Sequence, residues 1–121
     1  MNKTALILMP HGSKNPEWTA PFRKLAEDLR QDLGQDAVYL AFMEIASPNL
    51  TDAAAQMMQT QVRKARILPL FMARGNHFNT DIPTQIAEAK AAYPALDFEL
   101  LEPIGRHPRF FELMREVIKS L

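Results

Sequence analysis

Apolar positions along the chain switch between two periods. Residues 5–9, 38–43 and 67–71 are short continuous apolar runs, the last within an expected strand over 65–71, the pattern of strands covered on both faces of a sheet. Between them the spacing becomes helical. Trp18, Phe22, Leu25, Leu29 and Leu33 recur at intervals of four, three, four and four, which predicts an amphipathic helix burying that stripe. A second helix is predicted to carry Leu50, Ala53, Ala54, Met57, Met58 and Val62, and a third Ile82, Ile86, Ala89 and Tyr93. Residues 97–101 read as a fourth strand, and Phe110, Met114, Val117, Ile118 and Leu121 as the apolar face of a closing helix.

The breaks between these stretches have their own chemistry. Pro10 and Gly12 interrupt the first strand, Gly34 stops the first helix, and Ser47-Pro48-Asn49 ends the second strand. Asn49 or Thr51 can cap the second helix through a side-chain oxygen, and Pro83 suits the first turn of the third. Residues 73–83 are expected to form a long polar loop. Four strands separated by single helices require right-handed crossovers, hence a mostly parallel sheet with helices on both faces. The expected fold is α/β: a single three-layer domain over residues 1–121 with a four-stranded, flavodoxin-like sheet. Its first strand would lie inside and its second at an edge, so that the loops after strands one and three lie side by side.

That arrangement brings three chemically distinctive side chains to one edge. His11 follows the first strand, Glu44 the second and His77 the third. Imidazole nitrogens and a carboxylate can hold a borderline divalent metal with open coordination positions, and they also accept protons. Taken singly, each residue has a plainer reading: His11 as a loop group bonded to backbone, Glu44 as half of a salt bridge. His107, next to Pro108, reads as a helix-start group bonded to backbone. Met57 and Met58 read as core packing.

Composition removes several classes of function. Fourteen basic residues balance fourteen acidic ones and form no basic run, so no nucleic-acid partner is expected. The chain has no cysteine, which excludes disulfides, thiolate ligands and cysteine nucleophiles and is compatible with a cytoplasmic location. The apolar run near the N-terminus is too short for a signal peptide or a membrane span, and no membrane partner is expected. Neither a glycine-rich nucleotide fingerprint nor a Gly-x-Ser-x-Gly elbow occurs, and no organic cofactor is expected.

Three blocks carry a family resemblance. Pro10-His11-Gly12-Ser13, the segment Ala41-Phe42-Met43-Glu44-Ile45-Ala46-Ser47-Pro48, and Leu68-Pro69-Leu70-Phe71-Met72-Ala73-Arg74-Gly75-Asn76-His77 followed by Asp81-Ile82-Pro83 occur in that order. Together with Gly105-Arg106-His107-Pro108, they make the chain similar to the CbiX/SirB class of tetrapyrrole metal chelatases, in its short CbiX form. The resemblance implies insertion of cobalt or ferrous iron into sirohydrochlorin, on the way to cobalamin or siroheme, with nickel and zinc as further candidate ions. His11 and His77 match the two active-site histidines, and Glu44 matches the acidic residue facing them, so these three are the expected catalytic and metal-holding groups. Asn76 and Arg74 stand at positions where relatives vary.

Sirohydrochlorin carries many carboxylates. Ser13, Lys14, Arg74 and Asn76 are therefore the expected substrate-binding residues, with Arg106 and Arg109 as further cations near the strand ends. A domain this small forms one wall of a cleft for a macrocycle, so a homodimer is expected, with Phe78, Phe110 or Phe111 at the joint. Two rival readings use the same residues differently: a metal or tetrapyrrole carrier without turnover, and a small interaction domain in which the histidines are incidental.

Overall fold

The computed structural model describes residues 4–121, apart from the side chain of His77. Four strands, β1 (Thr4–Met9), β2 (Val38–Leu40), β3 (Lys64–Pro69) and β4 (Asp97–Leu100), form one sheet in the order β2-β1-β3-β4. Every pairing is parallel, with Ile7 opposite Tyr39 on one side and Ile67 on the other. The expected placement of the first two strands is thus observed. Neighbouring β1 and β3 deliver their following loops to the same part of the sheet edge.

β2 is shorter than the apolar run that predicts it, because only residues 38–40 form ladder pairs. The run nevertheless stays beside the chain leaving β1. Ala41 N–H donates to Leu8 O at 2.9 Å and Met43 N–H to Pro10 O at 2.9 Å, while Phe42 N–H turns away to Pro48 O at 2.8 Å. Backbone bonding therefore carries the chain as far as Glu44 alongside the loop that holds His11.

Helices cover the two faces unequally. α1 (Pro16–Leu33) begins at Asn15, whose side chain accepts from Glu17 N–H at 2.9 Å, and ends at Gly34, whose φ of 119° suits a residue without Cβ. It buries Thr19 and Ala26, and packs Phe22 and Leu29 against Leu8, Val38, Leu40 and Phe42. The contact line therefore differs from the expected stripe. Small Ala26 lets the helix approach closely, and Trp18, Leu25 and Leu33 are left exposed at its rim.

The opposite face is covered by α2 (Leu50–Met58) and α3 (Ile82–Ala92), which bury Ala53, Ala54, Met57, Ile82 and Ala89 over Ala5, Ile7, Met9 and Ile67. Asn49 caps α2 reciprocally with Asp52, each side chain accepting the other residue's N–H at 2.9 Å. α2 stops before Val62, which the sequence pattern had placed in the helix. Thr60 Oγ bonds Met57 O at 2.8 Å and accepts from Val62 N–H at 3.0 Å, so the chain leaves the helix with Val62 still buried. The expected polar loop is also partly helical: His77–Asp81 form a π-helical turn that runs directly into α3.

α4 (Pro108–Lys119) follows a 3₁₀ turn, Ile104–Arg106, and none of its residues is buried. Phe111, Leu113, Val117 and Ile118 are exposed along it. Between α4 and the strand-end residues Leu68 and Leu101 lies an open groove of about 970 Å³. Phe78, in contrast, belongs to the buried core, because the π-helical turn folds it inward. It is therefore not one of the exposed aromatic residues expected at a joint.

Candidate active site

The loop after β1 meets the loop after β2 at a backbone crossing that only glycine permits. A Cβ placed on Gly12 would lie 1.8 Å from Glu44 O and 2.9 Å from Ala46 N. That close approach brings Glu44 Oε1 within 2.9 Å of His11 Nδ1. An ionised carboxylate can only accept, so Nδ1 carries the proton and the imidazole lone pair sits on Nε2. Such a pairing fixes the orientation and tautomer of the ring.

Several contacts hold the Glu44 segment in place. Gln85 of α3 donates to Met43 O at 2.8 Å, and Arg23 of α1 donates to Ser47 O at 2.9 Å while lying over the Phe42 ring. Ile45 adopts a φ of 72°, a left-handed conformation that is costly for a β-branched residue. The strain falls one residue from the carboxylate. Glu44 Oε2 is buried and has no hydrogen-bond partner among the described residues.

His11 is held from two further sides. Its ring stacks on Phe71, centroid to centroid 4.2 Å with planes 19° apart, and its carbonyl accepts from Trp18 Nε1–H at 2.8 Å. Phe71 is carried by the loop after β3. A second close crossing ties that loop to the turn after β4: a Cβ on Gly105 would lie 2.0 Å from Met72 O, and Gly105 N–H donates to Phe71 O at 2.9 Å. His11, Trp18, Phe22, Phe71, Gly75 and Phe78 line a cleft of about 390 Å³. The backbone of His77 begins the π-helical turn between two of these lining residues, Gly75 and Phe78. Its side chain lies outside the described residues. Among those that are described, no group of three or more histidine, cysteine, aspartate or glutamate side chains could hold a metal ion.

The remaining sequence candidates are dispersed. Ser13 Oγ accepts from Asn15 N–H at 3.0 Å just before α1, and Lys14 beside it is exposed. Arg74 binds Glu102 through both Nε and Nη2 and lies 4.9 Å over the Phe78 ring, so its charge is already compensated. Asn76 is exposed, and its carbonyl accepts from Thr80 Oγ. Arg106 and Arg109 line the groove beside α4 rather than the His11 cleft. His107 caps α4, its Nδ1 accepting from Arg109 N–H at 3.1 Å, as its position before Pro108 suggests. Met57 is buried in the core. The sequence pattern does not single out Phe71 or Trp18 as site residues, because each also fits an apolar strand or helix stripe. Their closeness to proline- and glycine-broken loops was the available signal.

Residues 5–121 match the family model described as CbiX. The chain is 33% identical over 116 residues to the sirohydrochlorin cobaltochelatase of Sulfurisphaera tokodaii, covering 96% of this chain and 92% of that protein. It is 25% identical over 114 residues to the chloroplastic sirohydrochlorin ferrochelatase of Arabidopsis thaliana, covering 94% of this chain but 51% of that protein. Among solved structures, the cobalamin (vitamin B12) biosynthesis CbiX protein of Marinobacter aquaeolei VT8 superposes with a TM-score of 0.86 at 32% identity, over 98% of this chain and 94% of that one.

Proposed function

The chain belongs to the CbiX family, and from that membership we propose that it is a chelatase inserting cobalt or ferrous iron into sirohydrochlorin. The observation that carries this reading is the His11–Glu44 pair, 2.9 Å apart and half-buried beside an aromatic cleft at the carboxyl edge of a parallel sheet. Cleft and pair suit the two demands of the reaction: a flat ring to be held, and two pyrrole N–H protons to be removed as the metal enters.

In this mechanism His11 Nε2 and His77 first hold the incoming ion, and as it passes to the macrocycle nitrogens each lone pair so released takes up one of the two pyrrole protons. Glu44 holds His11 in the tautomer that leaves Nε2 basic and stabilises the imidazolium that forms. The ion and the macrocycle are both substrates. Imidazole donors accept cobalt, ferrous iron, nickel and zinc alike, and it is the relatives' names that put cobalt and ferrous iron first. Lys14, Ser13 and Asn76, which follow the cleft residues His11 and Gly75 in the chain, would meet substrate carboxylates. Arg74 would contribute only by exchanging its Glu102 partner for one of them.

The site has one wall in a single chain. We assign the second wall to a second copy, in a cytoplasmic homodimer of single-domain chains. One fact supports the dimer: among the described residues, the apolar side of α4 is left exposed. The test is anaerobic incubation with sirohydrochlorin and each ion in turn, followed by the absorption change over many turnovers. His11→Ala and His77→Ala should each abolish insertion, and Glu44→Gln should slow it about 10- to 100-fold. Full turnover in both histidine variants would overturn the mechanism. A single stoichiometric binding event without release of metallated product would mark a carrier instead.

A further inference from the structure

We infer that Trp18 is the stacking platform of the site, the surface against which the flat face of the macrocycle rests beside His11. The inference builds on the chelatase reading and adds a substrate-binding residue to it. Trp18 lies in the first turn of α1, yet 47% of it is exposed. The buried contacts of that helix run through Thr19, Phe22, Ala26 and Leu29 and do not use it. A large aromatic ring with no part in the core and a face open to a cleft is a group available to a ligand.

Its orientation is fixed by the site rather than by the core. The indole N–H is satisfied by His11 O at 2.8 Å, and the ring leans on Phe22 at 5.8 Å with planes 59° apart. The polar edge is therefore turned toward the backbone of the proposed catalytic histidine, and the π surface is left for the cleft. The same cleft contains Phe22, Phe71 and Phe78, so a conjugated, planar ring is the ligand its chemistry best matches. A carboxylate-rich but non-planar ligand would gain nothing from such a wall. The bond to His11 O also means that a ring stacked on the indole is registered against the imidazole beside it.

Binding is read by absorbance titration of metal-free sirohydrochlorin, anaerobically, on the wild-type chain and on Trp18→Ala and Trp18→Phe, alongside KM and kcat for cobalt insertion. Because the buried α1 contacts run through other residues, both variants should keep the wild-type circular dichroism spectrum, with only a small fall in Tm from the lost bond to His11 O and, in Trp18→Ala, the lost contact with Phe22. Trp18→Ala is expected to weaken binding and raise KM about five- to tenfold with kcat within about twofold, and Trp18→Phe, which keeps a flat ring but no N–H, to restore most of the loss. Wild-type affinity in Trp18→Ala would overturn the platform role while leaving the chelatase reading intact. So would a Trp18→Phe defect as large as that of alanine, since the N–H bond to His11 would then be what matters. A variant that shifted only the monomer–dimer midpoint would place Trp18 in an interface and overturn it as well. A wild-type chain that neither bound nor metallated sirohydrochlorin would remove both readings together.

Discussion

At the scale of single residues, two backbone positions set the geometry of the His11–Glu44 pair. Gly12 is glycine because the Glu44 carbonyl occupies the space a Cβ would need. Gly12→Ala should force the two loops apart, cost about 1–3 kcal/mol in chemical denaturation by overpacking, and lower chelation along with stability. Ile45 is the converse case, a β-branched residue held at a φ of 72° and largely exposed. Ile45→Gly should relieve that strain and raise stability by about 1 kcal/mol, seen as a higher denaturation midpoint. If activity falls while stability rises, the strained backbone serves to aim Glu44. The two histidines and the glutamate were legible as candidates from their residue types after apolar runs. The loop crossing at Gly12 was not, because a contact between Gly12 and Glu44, 32 positions apart, leaves no local trace.

At the scale of elements, caps and pairings explain where helices and strands begin and end. Asn49 and Asp52 satisfy each other's backbone at the start of α2, and Asn49→Ala should cost about 1 kcal/mol of stability. The end of α3 is tied to the start of β4 by Lys90, whose ammonium bonds Leu96 O at 2.7 Å and Asp97 Oδ1 at 2.8 Å. That hydrogen bond and the charge of Lys90 hold the Asp97 carboxyl below the ordinary aspartate value of 3.8, with a smaller pull from Lys64 and a small opposing push from desolvation. A depressed carboxylate adds stability above its unfolded-state pKa and loses it as pH falls through the folded one. Asp97→Asn should therefore lower stability slightly at neutral pH, because the exposed pair is worth little, and that difference should shrink as pH falls below about 4, flattening the acid limb in thermal melts across pH. Strand and helix types were readable from periodicity, whereas their limits depended on partners. β2 keeps three ladder residues because Phe42 bonds Pro48, and α1 rotates its apolar stripe because small Ala26 sets the closest approach.

For the whole molecule, the unresolved balance lies at α4. A helix with Phe111, Val117 and Ile118 exposed along it, beside an open groove, is poorly suited to water and well suited to another apolar surface. A Val117→Glu/Ile118→Glu double variant should be monomeric by light scattering where the wild type is dimeric, and should lose chelation although the His11 cleft is untouched. A wild-type chain that stays monomeric at all accessible concentrations and is fully active would refute the dimer. The expectation of Phe78 at that joint fails because the π-helical turn packs it into the core. Phe111, expected there from sequence, is exposed on α4.

Periodicity and punctuation in the sequence alone determined a parallel α/β sheet, because side-chain spacing and crossover handedness are local or topological constraints, whereas the place of β1 inside it was an expectation from a flavodoxin-like order that the tertiary structure decided. Residue chemistry likewise marked His11, Glu44 and His77. Tertiary structure decided which groups meet and in what roles. Glu44 supports His11 through Nδ1, Arg74 is engaged by Glu102, and Trp18 leaves the helix core for the cleft. Each of these depends on distances between residues remote in the chain, which packing sets and no pattern of neighbours along the sequence encodes.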